Sequence, residues 1–246
     1  MEPALHFSVI RHAAWAPGLD HLEAWQAWAS GLLDMAAEGE PGLSAMAPML
    51  RRRAGRLDRL ACEVGYQVMS DETGIPVVFC SRHGAAERSL ALLNELTLGQ
   101  PLSPTAFGMS VHNATSGLFS IARKDTANAT ALAGGSLSGV AGVVEACGLL
   151  QDRADHVLVI VADSLLPNAY RHFADEPDRA FAWAWLLGKA STDNHFSLHA
   201  EPIVTNNELL PDCPGSLAPH RFLLRQDAML RQSDEYGNTW FWHRHA

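Results

Sequence analysis

The stretch Thr130-Ala131-Leu132-Ala133-Gly134-Gly135-Ser136-Leu137-Ser138 decides the fold. An extended segment, Asn128 to Ala133, runs into a glycine pair and a serine. An apolar helix is predicted from Leu137 to Leu150, and His156 to Ala162 then reads as a strand. Strand, glycine turn, helix and strand make a βαβ unit, whose parallel strands are expected to be buried on both faces. Upstream, Pro76 opens the brief β-rich run Val77-Val78-Phe79-Cys80, a further buried strand, and helical spacing follows over Gly84 to Leu96 with Leu90, Leu93 and Leu96 as its apolar stripe. Another helix is predicted from about Thr115 to Ala122.

Further toward the N-terminus, Asp20 is a candidate N-cap for a helix reaching about Ala37, with Leu22, Trp25, Trp28, Leu32 and Leu33 at helical spacing. After the Gly39 to Pro48 break, Met49, Leu50, Leu57, Leu60, Ala61 and Val64 mark one face of a helix running to about Met69, and an arginine stripe lies elsewhere on it. The last third carries strand-like runs at Phe181 to Leu187, Phe196 to Glu201 and Thr239 to Trp242 between Pro/Asn/Asp-rich loops, an antiparallel and less regular pattern. The chain is therefore an α/β protein.

The 246 residues hold 18 Lys+Arg against 27 Asp+Glu, a net charge of −9, with 48% hydrophobic residues. A chain of this length buries a core that needs no disulfides. The only lysines are Lys124 and Lys189, and an acidic balance of this kind excludes nucleic acid as the main partner, because phosphate neutralisation needs clustered positive charge. Cys62, Cys80, Cys147 and Cys213 form no CxxC pair, so neither a zinc ribbon nor a disulfide scaffold is indicated. No signal peptide and no spanning helix are read, so a cytoplasmic protein is expected.

Three constellations are candidates for chemistry. Ser136 opens a helix directly after a strand, which suits a nucleophile served by helix N-terminal amides, yet the second glycine of G-x-S-x-G is missing and a serine there is equally an N-cap. The twelve histidines lack the spacing of a metal centre: His195 and His199 would share a helical face but lie in a strand-like run, and His243 and His245 end the chain, so no metal is expected. Arg51, Arg52, Arg53, Arg56 and Arg59 form the positive stripe, either a solvated helix face or a dock for an acidic partner.

Ser110-Val111-His112-Asn113-Ala114-Thr115-Ser116-Gly117-Leu118-Phe119-Ser120-Ile121-Ala122, then Thr130 to Ser136 and Val144-Glu145-Ala146, resemble the N-terminal half of β-ketoacyl synthases. Within that family the chain is similar to the short chain-length-factor-like proteins of aryl-polyene gene clusters. The resemblance takes in Ser81-Arg82-His83-Gly84 and Val157 to Asp163, covers roughly Leu5 to Leu187, and is weaker over the last sixty or so residues. It implies a thiolase-like αβαβα half, with a mixed five-stranded sheet covered by helices and without the second half of the duplicated fold. One synthase-like domain would span 1–246, with 188–246 an extension packed on it.

The resemblance places the nucleophilic cysteine of the family at Ser136, counting back from Glu145-Ala146, and the H-G-T and K-x-x-x-G-H motifs of the second half have no counterpart here. It therefore implies a chain that does not condense acyl groups by itself and needs no cofactor. Its partners would be an active β-ketoacyl synthase and an acyl carrier protein. Asn128, Ala129, Thr130, Ala131, Leu132 and Ala133 would form the strand that meets the synthase. Phe107, Met109, Val111 and His112 would line or gate its acyl tunnel, or simply pack in the interface. Arg51, Arg52, Arg53 and Arg56 would dock the acidic carrier. The alternatives are a serine hydrolase or acyltransferase built on Ser136, and a stand-alone acyl-binding scaffold. The Trp240-Phe241-Trp242 run is expected to close a surface left bare by the absent half.

Overall fold

Apolar runs too short for helices become strands here, and the longest of them sits at the centre of the sheet. The computed structural model describes residues 4–192, 195–202, 213–234 and 237–245. In chain order it forms β1 (Leu5–Trp15), α1 (Leu22–Ala29), α2 (Pro48–Arg51), α3 (Arg56–Val68), β2 (Val77–Cys80), α4 (Ala86–Thr97), α5 (Pro104–Gly108), α6 (Ala114–Arg123), β3 (Ala129–Leu132), α7 (Ser138–Asp152), β4 (His156–Asp163), β5 (Phe181–Lys189), β6 (His195–Glu201), α8 (Ala218–Arg225), β7 (Met229–Ser233) and β8 (Thr239–His245). One eight-stranded sheet has the order β3-β2-β4-β5-β1-β6-β8-β7. Its first three strands run parallel and the others pair antiparallel, so the sheet is mixed, with eight strands where five were expected.

Strand alternation divides the core in two. Val157, Val159 and Val161 of β4 join Trp183 and Trp185 of β5 under α7, α1 and α8. On the other face Leu158, Ile160 and Ala162 meet Ala182 and Ala184 under α3 and α6. Alternating tryptophan and alanine along β5 thus fills a deep layer on one side and lets a helix approach closely on the other. Gly142 does the same for α7, since a Cβ there would lie 2.5 Å from the Cys80 sulfur.

Several expectations need correction. The βαβ unit is present, with α7 carrying the chain across β2, but only β4 is buried on both faces; β3 is the sheet edge and is half-exposed. The first helix is shorter than its apolar spacing suggested. It begins after His21, not Asp20, and stops before Gly31, whose φ of +74° ends it, leaving Leu32 and Leu33 exposed. The second helix is broken into α2 and α3 at Arg52 to Gly55. β1, α8 and β7 were not anticipated. The C-terminal segment from Asp212 to Ala246, whose two end residues lie outside the described residues, supplies α8, β7 and β8 as part of the sheet, not an extension packed against it. Trp242 there is fully buried and donates from Nε1 to Gln232 Oε1 at 3.0 Å.

Candidate functional site

The C-terminal ends of β2 and β4 and the turn after β3 come together at one edge of the parallel strands. The turn is a short 3-10 segment, Gly135–Leu137, made possible by Gly135 at φ +59°, a conformation costly for any residue with a Cβ. Ser136 is half-buried on it. It does not cap the helix: the cap position of α7 is Leu137, and Ser138, the first helical residue, instead closes the turn, its Oγ accepting from the Gly134 amide at 3.1 Å and donating to Gly135 O at 2.8 Å. Among the described residues the Ser136 hydroxyl has no hydrogen bond, so neither a histidine nor a carboxylate is in place to take its proton.

The chain lies directly against this turn. Ser216 Oγ donates to Ser136 O at 3.0 Å, and a Cβ on Gly215 would lie 2.5 Å from that same oxygen. Trp183 Nε1 and Gln232 Nε2 fix the segment by donating to Ser216 O (2.8 Å) and Gly215 O (2.7 Å). Gly215 N–H donates to Glu176 Oε2 at 2.8 Å, and Glu176 in turn pairs with Arg82 at 2.7 Å. Arg82 also reaches Asp175 at 2.8 Å and holds that carboxyl below its usual range.

Behind Arg82, the buried Asp163 at the end of β4 accepts from Ser81 Oγ at 2.8 Å and from the Arg82 amide at 2.9 Å. Burial still dominates and pushes its carboxyl up to about 6, against the pull of those hydrogen bonds. The four cysteines are all buried. Burial raises the thiols of Cys62 and Cys80 and pushes Cys147 up to about 12, the opposite of what a thiolate nucleophile needs.

Beside this edge, β3 pairs with β2 on one side only among the described residues. Asn128 and Ala133 flank it, and Ala129, Thr130, Ala131 and Leu132 form it. His112 ties the preceding segment to it, its Nε2–H donating to Leu132 O at 2.8 Å, with the ring over Gly84 and 5.8 Å from Phe79. Met109 packs into the α3-side core. Phe107 and Val111 face outward, together with Leu93, Leu96, Leu98 and Ile121, all between 41% and 72% exposed. The Leu90/Leu93/Leu96 stripe is thus real, but α4 is anchored by Leu92, the only buried residue of that helix, and turns Leu93 and Leu96 away from this chain.

The arginines follow the broken helix. Arg52 and Arg53 are exposed and Arg51 is half-buried, with no ion pair at any of the three among the described residues. Arg56 lies 3.8 Å from Glu40, and Arg59 donates to Arg51 O at 3.3 Å. The histidines set aside by their sequence spacing do gather: His6, His195, His199, His243 and His245 share one face of β1, β6 and β8. The missing signal was strand pairing, since alternate residues on two antiparallel strands meet however far apart they lie in sequence.

A family model described as the N-terminal domain of β-ketoacyl synthases matches residues 25–243, well into the segment where the resemblance had faded. Among solved structures the chain is similar to "Ketosynthase (ApeO) in Complex with its Chain Length Factor (ApeC) from Xenorhabdus doucetiae", with a TM-score of 0.85 and 27% identity over 98% of this chain and 100% of that one. "The ishigamide ketosynthase/chain length factor" shares the fold at TM-score 0.73 and 14% identity, over 98% of this chain and 99% of that one. A type II acyl-carrier protein–ketosynthase complex, AntDE:AntF, shares it at 0.69 and 10%, over 99% and 100%. No curated protein matches. With most of its length matched by one family model and its sheet and helix layers by ketosynthase structures, the chain belongs to the β-ketoacyl synthase N-terminal domain family.

Proposed function

We propose that this chain is a chain-length-factor-type subunit, which pairs with an active β-ketoacyl synthase and shapes its acyl tunnel in type II aryl-polyene or fatty-acyl assembly. The observation that carries it is the open β3 edge flanked by exposed Leu93, Leu96, Phe107 and Val111. Several large apolar side chains exposed near an open strand edge mark a protein partner. The likeness to a ketosynthase–chain length factor complex supports the reading.

Chemistry supports a non-catalytic role. Decarboxylative condensation needs a thiolate to accept the acyl chain and donors to stabilise the oxyanion that forms. Among the described residues Ser136 offers a hydroxyl with no base hydrogen-bonded to it, and the Cys213 to Leu217 segment lies against its turn. The same lack of a base argues against a serine hydrolase. In the complex, Asn128 to Ala133 align with the synthase, and Phe107 and Val111 reach toward its tunnel. Met109 and His112 hold that segment in place from behind. Arg51, Arg52, Arg53 and Arg56 receive the acidic carrier protein.

Co-expression with a cognate synthase, followed by size-exclusion chromatography and product analysis, tests this. A stable heterodimer is expected whose turnover needs the synthase cysteine, changes less than about twofold in Ser136→Ala, and yields altered chain lengths in Phe107→Ala. Failure to form a complex, or loss of turnover in Ser136→Ala, overturns the proposal.

A further inference from the structure

The helix layer over the α3 side of the sheet covers β4, β5 and β1, where α3 makes its sheet contacts, and leaves β6, β8 and β7 without it. On this uncovered ground lies the imidazole face. His195 stands opposite His245 across the β6–β8 ladder, Ser197 stands between His6 on β1 and His243 on β8, and His199 is the next residue of β6 on the same side. The rings stack in two pairs: His195 and His245 have centroids 4.5 Å apart and planes 15° from parallel, and His199 and His243 lie at 5.5 Å and 2°. His6 joins them at 5.7 Å from His195 and 6.3 Å from His245, and His243 is 6.5 Å from His245.

The surroundings oppose positive charge on this face. Glu201, whose Oε1 lies 3.4 Å from His199 Nε2, is the only carboxylate paired with any of the five imidazoles among the described residues. Arg231 of β7 adds a further cation, opposite Phe241, whose ring stacks on His199. Arg244 belongs to the other face, over the Phe196 ring. His195 Nδ1 is buried with no hydrogen-bond partner, so a second proton on that ring would create a buried N–H without an acceptor. Ser197 Oγ bonds His245 Nε2 at 2.8 Å and satisfies that nitrogen without a charge. Burial, and after it the neighbouring His199 and His245, hold the His243 imidazole below its ordinary range.

We propose that this face is an acid-sensitive latch on the β6–β8–β7 ribbon: the strands stay paired while the rings are neutral, and mild acidification charges the rings and loosens the ribbon ahead of the rest of the fold. The charges cannot move apart while the ladders are intact, because the strand register holds neighbouring rings 4.5 to 6.5 Å from one another. In the opened ribbon each imidazole is free to take a proton near the ordinary value of about 6.5. Opening therefore binds protons. The open population rises by up to about tenfold per pH unit below about 6.5 for each ring that stays neutral in the closed ribbon, so stability from the latch is full at neutral pH and lost as pH falls. Gln232 on β7 donates to Gly215 O at 2.7 Å, so the loosened ribbon also withdraws one of the bonds that hold the Cys213 to Leu217 segment against the Ser136 turn.

The test is native-state hydrogen exchange of the full chain at pH 7 and pH 5.5, each amide referred to its intrinsic rate at that pH. Exchange is read strand by strand, because the buried Asp163 carboxyl acts on the whole chain in the opposite sense over this range. Protection of the β6 and β8 amides is expected to fall about fivefold or more on acidification, while that of β2 and β4 does not fall. The paired change His195→Gln/His243→Gln, which removes two of the protonation sites, should hold ribbon protection within about twofold between the two pH values, whatever its level at pH 7. His6→Gln, at an exposed position that leaves the core untouched, should lessen the fall, and His21→Gln, remote from this face and bonded to Asp20, should leave it as in wild type. Ribbon protection that stays flat in wild type, an equal fall in β2 and β4, or a fall undiminished in both His6→Gln and the paired variant would each overturn the latch.

Discussion

The two edges of the sheet are built from opposite materials. At one, β3 is four residues long, carries Ala-Thr-Ala-Leu, and is flanked by helices that turn leucines and a phenylalanine outward. At the other, β7 carries Met-Leu-Arg-Gln-Ser beside a face of histidines, and its ribbon is pinned from behind by buried Trp242. Edge strands invite pairing, and charged or polar residues along them discourage it. On the proposed function, the edge that instead collects apolar side chains is the one another protein covers. The polar edge has its anchor inside the chain, so its stability is internal, while the proposed function has the apolar edge gain its stability from assembly.

Breaking each edge separately should have separable consequences. Trp242→Ala removes a fully buried indole and its bond to Gln232, and is expected to cost about 3–5 kcal/mol in urea or guanidinium unfolding. If the edges are independent, any of this variant that remains folded still binds the synthase; loss of binding in the folded fraction would break the comparison. The paired change Leu93→Glu/Leu96→Glu acts at the other edge. It should weaken synthase association at least about a hundredfold, roughly 2.7 kcal/mol, by placing charge in a desolvated interface. Because both positions are exposed in the free chain, the denaturation midpoint should move by less than about 0.5 kcal/mol. A destabilised monomer would show that these leucines serve the chain's own core.

The sequence made one edge legible and concealed the other. β2, β3, α7 and β4 each follow from a local pattern, because parallel strands buried under helices are short apolar runs with glycine turns between them. The Leu90, Leu93, Leu96 periodicity identified a helix correctly and its buried face wrongly, since periodicity reports that a stripe will be covered and not by which chain. β1 escaped because its eleven residues mix His6, Ser8, Arg11 and His12 with apolar positions, and its strand character comes from lying between β5 and β6. The same mixture hid the imidazole face. Ser136 lies on the turn its sequence indicates, but it caps no helix, because the turn is a 3-10 segment that delays the start of α7 and puts Leu137 at the cap position.

Midway between the edges, Asp163 offers a probe of the network that holds the Ser136 turn closed. Its carboxyl is raised from 3.8 to about 6 by burial, so the folded state keeps a proton that the unfolded state gives up. Stability from this group is fully present below about pH 4 and is lost as pH rises through about 6, a loss on the order of 3 kcal/mol. Asp163→Asn keeps an acceptor for Ser81 and the Arg82 amide without the charge, so its stability should vary less than wild type between pH 4 and 7. Identical pH profiles would mean that the carboxylate is already compensated by Arg82.

The smallest effect concerns neither edge directly. Arg52 and Arg53 project from the break between α2 and α3 with no ion pair among the described residues, on a chain of net charge −9. A charge exposed in this way steers encounter and contributes little to a complex once formed, so reversing both to Glu should raise the apparent KM for the acyl carrier protein about three- to tenfold and leave kcat unchanged. The difference should shrink toward unity at about 1 M salt, where screening confines electrostatics to about 3 Å. The salt series is the decisive measurement, because a structural defect in the break would persist at every ionic strength, and a carrier that docks only on the synthase would show no difference at any.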